Sequence, residues 1–212
     1  PNAKYCLLRT EDTGSELVIE EDNWVAAAEF ADSAGADIFN TSLGYTTFDD
    51  PGQNHTYADM DGNTTRITIG ADIAASKGIL VVNAAGNQGG SGWKYIVAPA
   101  DGDSVLAVGA VDASGSYVSF SSQGPSSDGR VKPNIAAQGL ATITASNNGG
   151  VQAVSGTSVA SPVIAGLVAC LWQAHPSATN MQVFDAIRQS ADQYKNPDDL
   201  KGYGIPNFAV AH

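Results

Sequence analysis

Cysteine, basic residues and charge in general are scarce in this chain, and each shortage narrows the reading. Two cysteines in 212 residues, Cys6 and Cys170, do not make a disulfide framework. Cys6 falls in an apolar segment that reads as a strand and Cys170 inside an apolar helix, so both are expected to be buried free thiols without the charged setting of a reactive one. Ten Lys and Arg stand against 22 Asp and Glu, a net charge of −12. A surface of that sign disfavours nucleic acid and anionic membranes and favours solubility. It also leaves room for divalent cations or cationic peptides as partners. No run of 18 apolar residues occurs, so no membrane span is expected, and no signal peptide is visible. Repeats and low-complexity tails are missing as well.

What is present is a sizeable hydrophobic fraction, 43%, with 23 glycines and only 15% charged residues. That balance suits small-residue helices packed closely on a parallel sheet. Strand and helix signals alternate. Residues 4–9 read as a short strand, 22–33 as a helix ended by Gly35, and 37–41 as a strand. A polar loop over 49–63 leads to a helix over 64–77 closed by Gly78. Strands over 79–83 and 104–111 flank a glycine-rich loop over 86–92. This order implies right-handed parallel crossovers. Turn residues dominate 112–155, where strands at 140–145 and 150–154 form an expected antiparallel hairpin. Helices over 158–174 and about 178–190 follow.

The most informative stretch is Val154-Ser-Gly-Thr-Ser-Val-Ala-Ser-Pro162. Gly156-Thr-Ser opens the long apolar helix and sets Ser158 at its positive end, where unpaired N–H groups and the macrodipole favour negative charge. A serine before a helix is ordinarily an N-cap. A hydrolytic nucleophile uses the same field, because the tetrahedral intermediate puts charge on a nearby oxygen. Asn87, in Ala84-Ala-Gly-Asn-Gln-Gly89, follows an apolar strand and is either a turn residue or a side-chain donor to that oxygen. Ser42-Leu-Gly44 follows another strand, and both strand ends are expected on the carboxyl edge of the sheet, where ligands gather.

With Phe120-Ser-Ser-Gln-Gly-Pro125 and Lys132-Pro-Asn-Ile-Ala-Ala-Gln-Gly139 added, these segments resemble the subtilisin-like serine proteases, the subtilases. The resemblance implies an α/β, subtilisin-like three-layer sandwich with a mostly parallel sheet and helices on both faces, incomplete at the N-terminal side. It implies Ser158 as nucleophile and Asn87 as oxyanion donor. Ser42, Leu43 and Gly44 would pair with an extended peptide or protein substrate, beside Ala84, Ala85 and Gly86. Ala98 and Pro99 look like a wall of the primary specificity pocket, with a cis peptide between them. Gly202-Tyr-Gly204 and Asn207 extend the likeness, so residues 1–212 resemble the C-terminal portion of a subtilase catalytic domain. Asn134 and Gln138 stand where the family more often has Asp and Pro.

The family's triad runs Asp, His, Ser, and its first two motifs precede the segment that matches residues 2–9. The Asp and His are therefore expected upstream of Pro1. His55 lies in a polar loop, His175 is about 25 Å along the helix from Ser158, and His212 is terminal; none has the family's base setting. The 212 residues are expected to hydrolyse peptides poorly, and to pair with the upstream segment or self-associate through the face it would cover. The family suggests secretion or a cell-envelope location.

Two other functions compete. One is a catalytically inactive, peptide-binding module of the same fold. The other is a nucleotide-binding protein using Gly86-Asn-Gln-Gly-Gly-Ser-Gly92, although no Lys-Ser/Thr follows the glycines. Asp59 and Asp61 are spaced like part of a calcium loop but lack its later Glu; capping of the next helix by Asp61 or Asn63 is the simpler use. No cofactor is expected, with a structural calcium as the alternative.

Overall fold

The computed structural model describes residues 3–212. Its centre is a four-stranded parallel sheet in the order β1-β2-β3-β4, formed by Ile38–Thr41, Leu80–Ala84, Val105–Val111 and Ile135–Gln138. β2 and β3 are buried along their whole length. That explains continuous apolar runs where a one-sided sheet would show alternation. Period-2 geometry still sorts their side chains. Leu80, Val82, Leu106 and Val108 face one core, and Val81 and Val105 face the other.

Helix α3, Thr157–Ala174, covers the first face with Ala160, Ile164, Val168 and Leu171, and α4, Asn180–Gln189, packs beside it. Helices α1, Ile19–Ser33, and α2, Arg66–Ser76, cover the second with Trp24, Ile67, Ala71 and Ala74. The expected three layers are thus present. The predicted hairpin forms from β5, Thr142–Ala145, and β6, Val151–Val154, and feeds the chain into α3. A last turn of helix, α5, spans Phe208–Ala211.

Several expectations need correction. Residues 4–9 form no strand, and Tyr5 and Leu7 stand exposed. Strand propensity is realised only against a neighbouring strand, and among the described residues β1 pairs with β2 alone. Cys6 and Cys170 are both exposed, since the first lies on that unpaired segment and the second on the outer face of α3. β4 falls within 112–155, where the sequence predicts turns and strands at 140–145 and 150–154 but no strand at 135–138. The cap of α2 is Thr65, whose hydroxyl accepts from Thr68 N–H, so neither Asn63 nor Asp61 serves there. α3 is long and apolar enough to cross a membrane, yet one face is packed on the sheet.

Candidate active site

Parallel topology brings the ends of β1 and β2 to one edge, and α3 begins there. A cavity of about 140 Å³ opens at the junction. Ser42, Leu43 and Gly44 line it after β1, and Ala84, Gly86, Asn87 and Gln88 at the end of β2. Thr157 and Ser158 line it from the mouth of α3, and Val97 closes it. The structure therefore unites Ser42, Leu43, Gly44, Ala84, Gly86, Asn87 and Ser158. Ala85, Ala98 and Pro99 lie behind this lining, buried. The Ala98-Pro99 bond is cis, as the resemblance implies.

Thr157 fastens two walls together. Its N–H donates to Asn87 Oδ1 at 2.9 Å and its hydroxyl to the same oxygen at 3.1 Å. Its Oγ1 also accepts from Gly86 N–H at 3.2 Å. With Oδ1 taken by two donors, the free N–H pair of Asn87 is on Nδ2. Ser158 is the second residue of α3, where a backbone N–H has no partner inside the helix. Two donors thus border one cavity, and the helix N-terminus adds a favourable field for negative charge. Thr157 stood in the quoted motif without a role, because its partner is 70 residues away.

Ser158 itself is tied to the opposite wall. Its Oγ donates to Ser42 O at 3.2 Å, and Ser42 Oγ donates to Ser158 O at 2.9 Å. Tyr45 and Ala98 exchange two backbone hydrogen bonds, which brace the 42–44 segment. Ser161, buried on α3, donates to Asn40 Oδ1 at 2.9 Å and holds the helix to β1.

Among the described residues no titratable group bonds to Ser158 Oγ. His55 pairs with buried Glu21, and His175 and His212 pair with each other at 2.8 Å beyond the far end of α3. Several N–H groups of the glycine-rich loop are already taken by the protein, which disfavours a phosphate cradle there. Gln88 N–H donates to Ser122 Oγ, Gly89 N–H to Phe120 O and Ser91 N–H to Gln88 O. Asp59 accepts from the N–H and hydroxyl of Thr56, and the bonds from Thr56 hold its carboxyl below the usual range. Asp61 accepts from Asn63 N–H and the Thr64 hydroxyl. Among the described residues no three His, Cys, Asp or Glu side chains are grouped to hold a metal. Asn134 takes a structural place: its Oδ1 accepts from Ala107 N–H and from Lys132 Nζ. Gln138 caps a turn through Leu140 O.

A family model described as the subtilase family matches residues 1–204. The chain is 34% identical to Subtilisin from Bacillus pumilus over 212 residues, covering 99% of this chain and 68% of that protein. It is 34% identical to Subtilisin E from Bacillus subtilis (strain 168), covering 98% of this chain but only 48% of that protein. Among solved structures, the prenylagaramide maturation protease PagA superposes with a TM-score of 0.69 at 29% identity, over 90% of this chain and 66% of that one. Sphericase gives 0.69 at 27% identity, over 90% and 64%. The chain therefore spans about half to two thirds of the length of these relatives.

Proposed function

Because this chain belongs to the subtilase family, we propose that it is the nucleophile-bearing portion of a serine endopeptidase. The observation that carries this reading is the Thr157–Asn87 bond pair, which leaves Asn87 Nδ2 free in the cavity that Ser158 lines. Ser158 Oγ would attack the scissile carbonyl as its proton passes to a general base. Ser158 N–H and Asn87 Nδ2 would hold the oxyanion. Collapse then expels the amine, which takes the proton from the base. Water repeats the sequence on the acyl-enzyme and frees the acid.

The base comes, on this reading, from outside the described residues, since Ser158 Oγ is bonded here to a carbonyl. The outer edge of β1 and the exposed Val163 and Leu167 of α3 are where that further segment, or a second copy of this chain, would pack. Residues 42–44 would pair with an extended peptide backbone. Family likeness supports work outside the cytoplasm, secreted or at the cell envelope.

A fluorophosphonate probe tests the reading on the protein expressed from its whole gene. Labelling is expected, and its survival in Ser158→Ala would remove Ser158 from the role. The 212 residues alone should not label; if they do, the base lies among them. The reciprocal Ser42–Ser158 bonds favour a second reading, a silent peptide-binding module. Peptide binding by the whole-gene product without any labelling would establish that one instead.

A further inference from the structure

Helix α3 ends on an imidazole that meets a second one. His175 caps the helix, donating its N–H to Leu171 O and Trp172 O, and its own carbonyl accepts from Ala178 N–H. His212 closes α5 and donates its N–H to Phe208 O. Asn207 Oδ1 caps that turn, and Phe208, Ala211 and Trp172 pack against the same core. Both backbones are thus fixed where the rings meet. His175 Nε2 and His212 Nδ1 stand 2.8 Å apart with the ring planes at 54°, and the contact is open to solvent.

As a hydrogen bond alone this contact gains little, because water serves each ring as well at an exposed site. The same two nitrogens suit a metal ion. At a metal–imidazole bond of about 2.0–2.1 Å, nitrogens 2.8 Å apart subtend about 85–90° at the ion. A tetrahedral ion would hold them about 3.3–3.4 Å apart at the same bond length. A right angle is the cis angle of a square-planar or tetragonal centre, the habit of Cu²⁺ and Ni²⁺, and Cu²⁺ heads the affinity order. Binding needs the tautomers with N–H on His175 Nδ1 and His212 Nε2, which leave a lone pair on each inner nitrogen. The field points the same way. The contact lies at the C-terminus of an 18-residue helix with no basic residue in its last turn, where the macrodipole favours a cation. A net charge of −12 adds to that attraction.

We propose that His175 and His212 form a site for a tetragonal transition-metal ion of the Cu²⁺ type, with water in the remaining positions, that fastens α5 to the end of α3. The site lies at the opposite end of α3 from Ser158 and is independent of the peptidase reading.

The test adds an equivalent of Cu²⁺, in a buffer that does not chelate, to tag-free protein expressed from its whole gene. Electron paramagnetic resonance is expected to show a tetragonal centre with two nitrogen ligands. His175→Gln and His212→Gln should each remove a nitrogen from that spectrum and weaken binding, read by calorimetry, at least about tenfold. His175 is half-buried and His212 exposed, so both variants should unfold at the wild-type temperature without metal. Should one fail to fold, the other and the wild-type spectrum decide. Cu²⁺ should also slow hydrogen exchange at the Ala211 and His212 amides in the wild type and in neither variant. Equal binding by the wild type and both variants would mean an adventitious ion only and overturns the proposal. So does a wild-type spectrum with fewer than two nitrogens. Copper held by both imidazoles with no slowing of exchange in α5 overturns the fastening role.

Discussion

Ser42 and Ser158 clasp each other across the site, each hydroxyl donating to the other's carbonyl, at 2.9 and 3.2 Å. The clasp has a cause four residues on. Pro162 lies inside α3 and has no N–H, so Ser158 O lacks its usual i+4 donor and is free to take the Ser42 hydroxyl. Ser42→Ala is therefore expected to destabilise by about 1 kcal/mol. Pro162→Ala restores an N–H to Ser158 O, and in that background Ser42→Ala should have much less effect. Urea unfolding of the four proteins measures the coupling; additive effects would mean that the two residues do not share this carbonyl.

Asn87 is oriented by Thr157, and the two should separate in their effects. Removing a single side-chain oxyanion donor costs on the order of 10²–10³ in turnover, a magnitude established in subtilisin, a relative of this chain. On the peptidase reading, Asn87→Leu in the whole-gene protein is expected to show a loss of that size in kcat with little change in KM. Thr157→Val keeps the N–H bond to Asn87 but loses both hydroxyl bonds and strands the Gly86 N–H. It should lower stability by about 1–3 kcal/mol as well as kcat. Steady-state kinetics with an unfolding curve for each variant distinguishes them.

The site was legible to the extent that its chemistry sits in short segments. Gly156-Thr-Ser158 and Ala84-Ala-Gly-Asn87 each carry a glycine at positive φ, 151° at Gly156 and 111° at Gly86, and that need for glycine survives in one sequence. β2 and β3 were legible as unbroken apolar runs. β4 was not, since Ile135-Ala-Ala-Gln138 owes its conformation to pairing with β3 rather than to its own propensity. Residues 4–9 failed in the opposite direction, apolar enough for a strand but with no strand beside them. Thr157, Ser161 and the Glu21–His55 pair act through partners 34 to 121 residues away, and no local signal announces such distances.

Lys132 makes stability depend on pH. Its ammonium is fully buried and donates to Gly102 O, Val105 O and Asn134 Oδ1. Burial, with help from the Arg130 charge, pushes it down to about 7, against the pull of Asp101, Asp72 and Asp103. An unfolded chain keeps that proton until pH is about 10.5. Between about 7 and 10 the unfolded state thus binds more protons, and stability rises with pH, by at most about 1.4 kcal/mol per unit. Tyr45, whose phenol burial raises above its ordinary value, opposes this only beyond about pH 10. Urea midpoints at pH 7, 8 and 9 should climb in the wild type and stay level in Lys132→Met. A flat wild-type profile would mean that the three acceptors keep the ammonium charged.

The outer face of α3 carries Val163 and Leu167 one helical turn apart, each 40% exposed. With the free edge of β1, this face is expected to drive concentration-dependent self-association of the 212-residue chain. Leu167→Glu places a charge on it without touching the sheet-facing residues. Sedimentation velocity across a hundredfold range of concentration should show wild-type oligomers that the variant lacks. A wild type that stays monomeric throughout would show that the face needs no cover.

Glu21 and His55 form the one acid–imidazole pair among the described residues, with the carboxyl buried and the imidazole half-buried, and it serves the fold. Glu21 is fully buried; one carboxylate oxygen meets His55 Nε2 and the other accepts from Ile67 N–H, 3.3 Å away in the first turn of α2. A carboxylate there is favoured by the helix field. The His55 ring lies edge-on to Phe48, which packs in the α1–α2 core. Removing His55 leaves the buried Glu21 carboxyl without one of its two hydrogen-bond partners, so His55→Ala should cost about 1–3 kcal/mol. Replacing both by apolar residues of similar size, Glu21→Met with His55→Leu, removes the unpaired polar group and should recover most of that loss. Thermal unfolding of the single and double variants tests the pairing. The same double variant should bind peptides at Ser158 as the wild type does, because the pair lies apart from the cavity lining. A loss of peptide binding in a folded double variant would place His55 at the site after all.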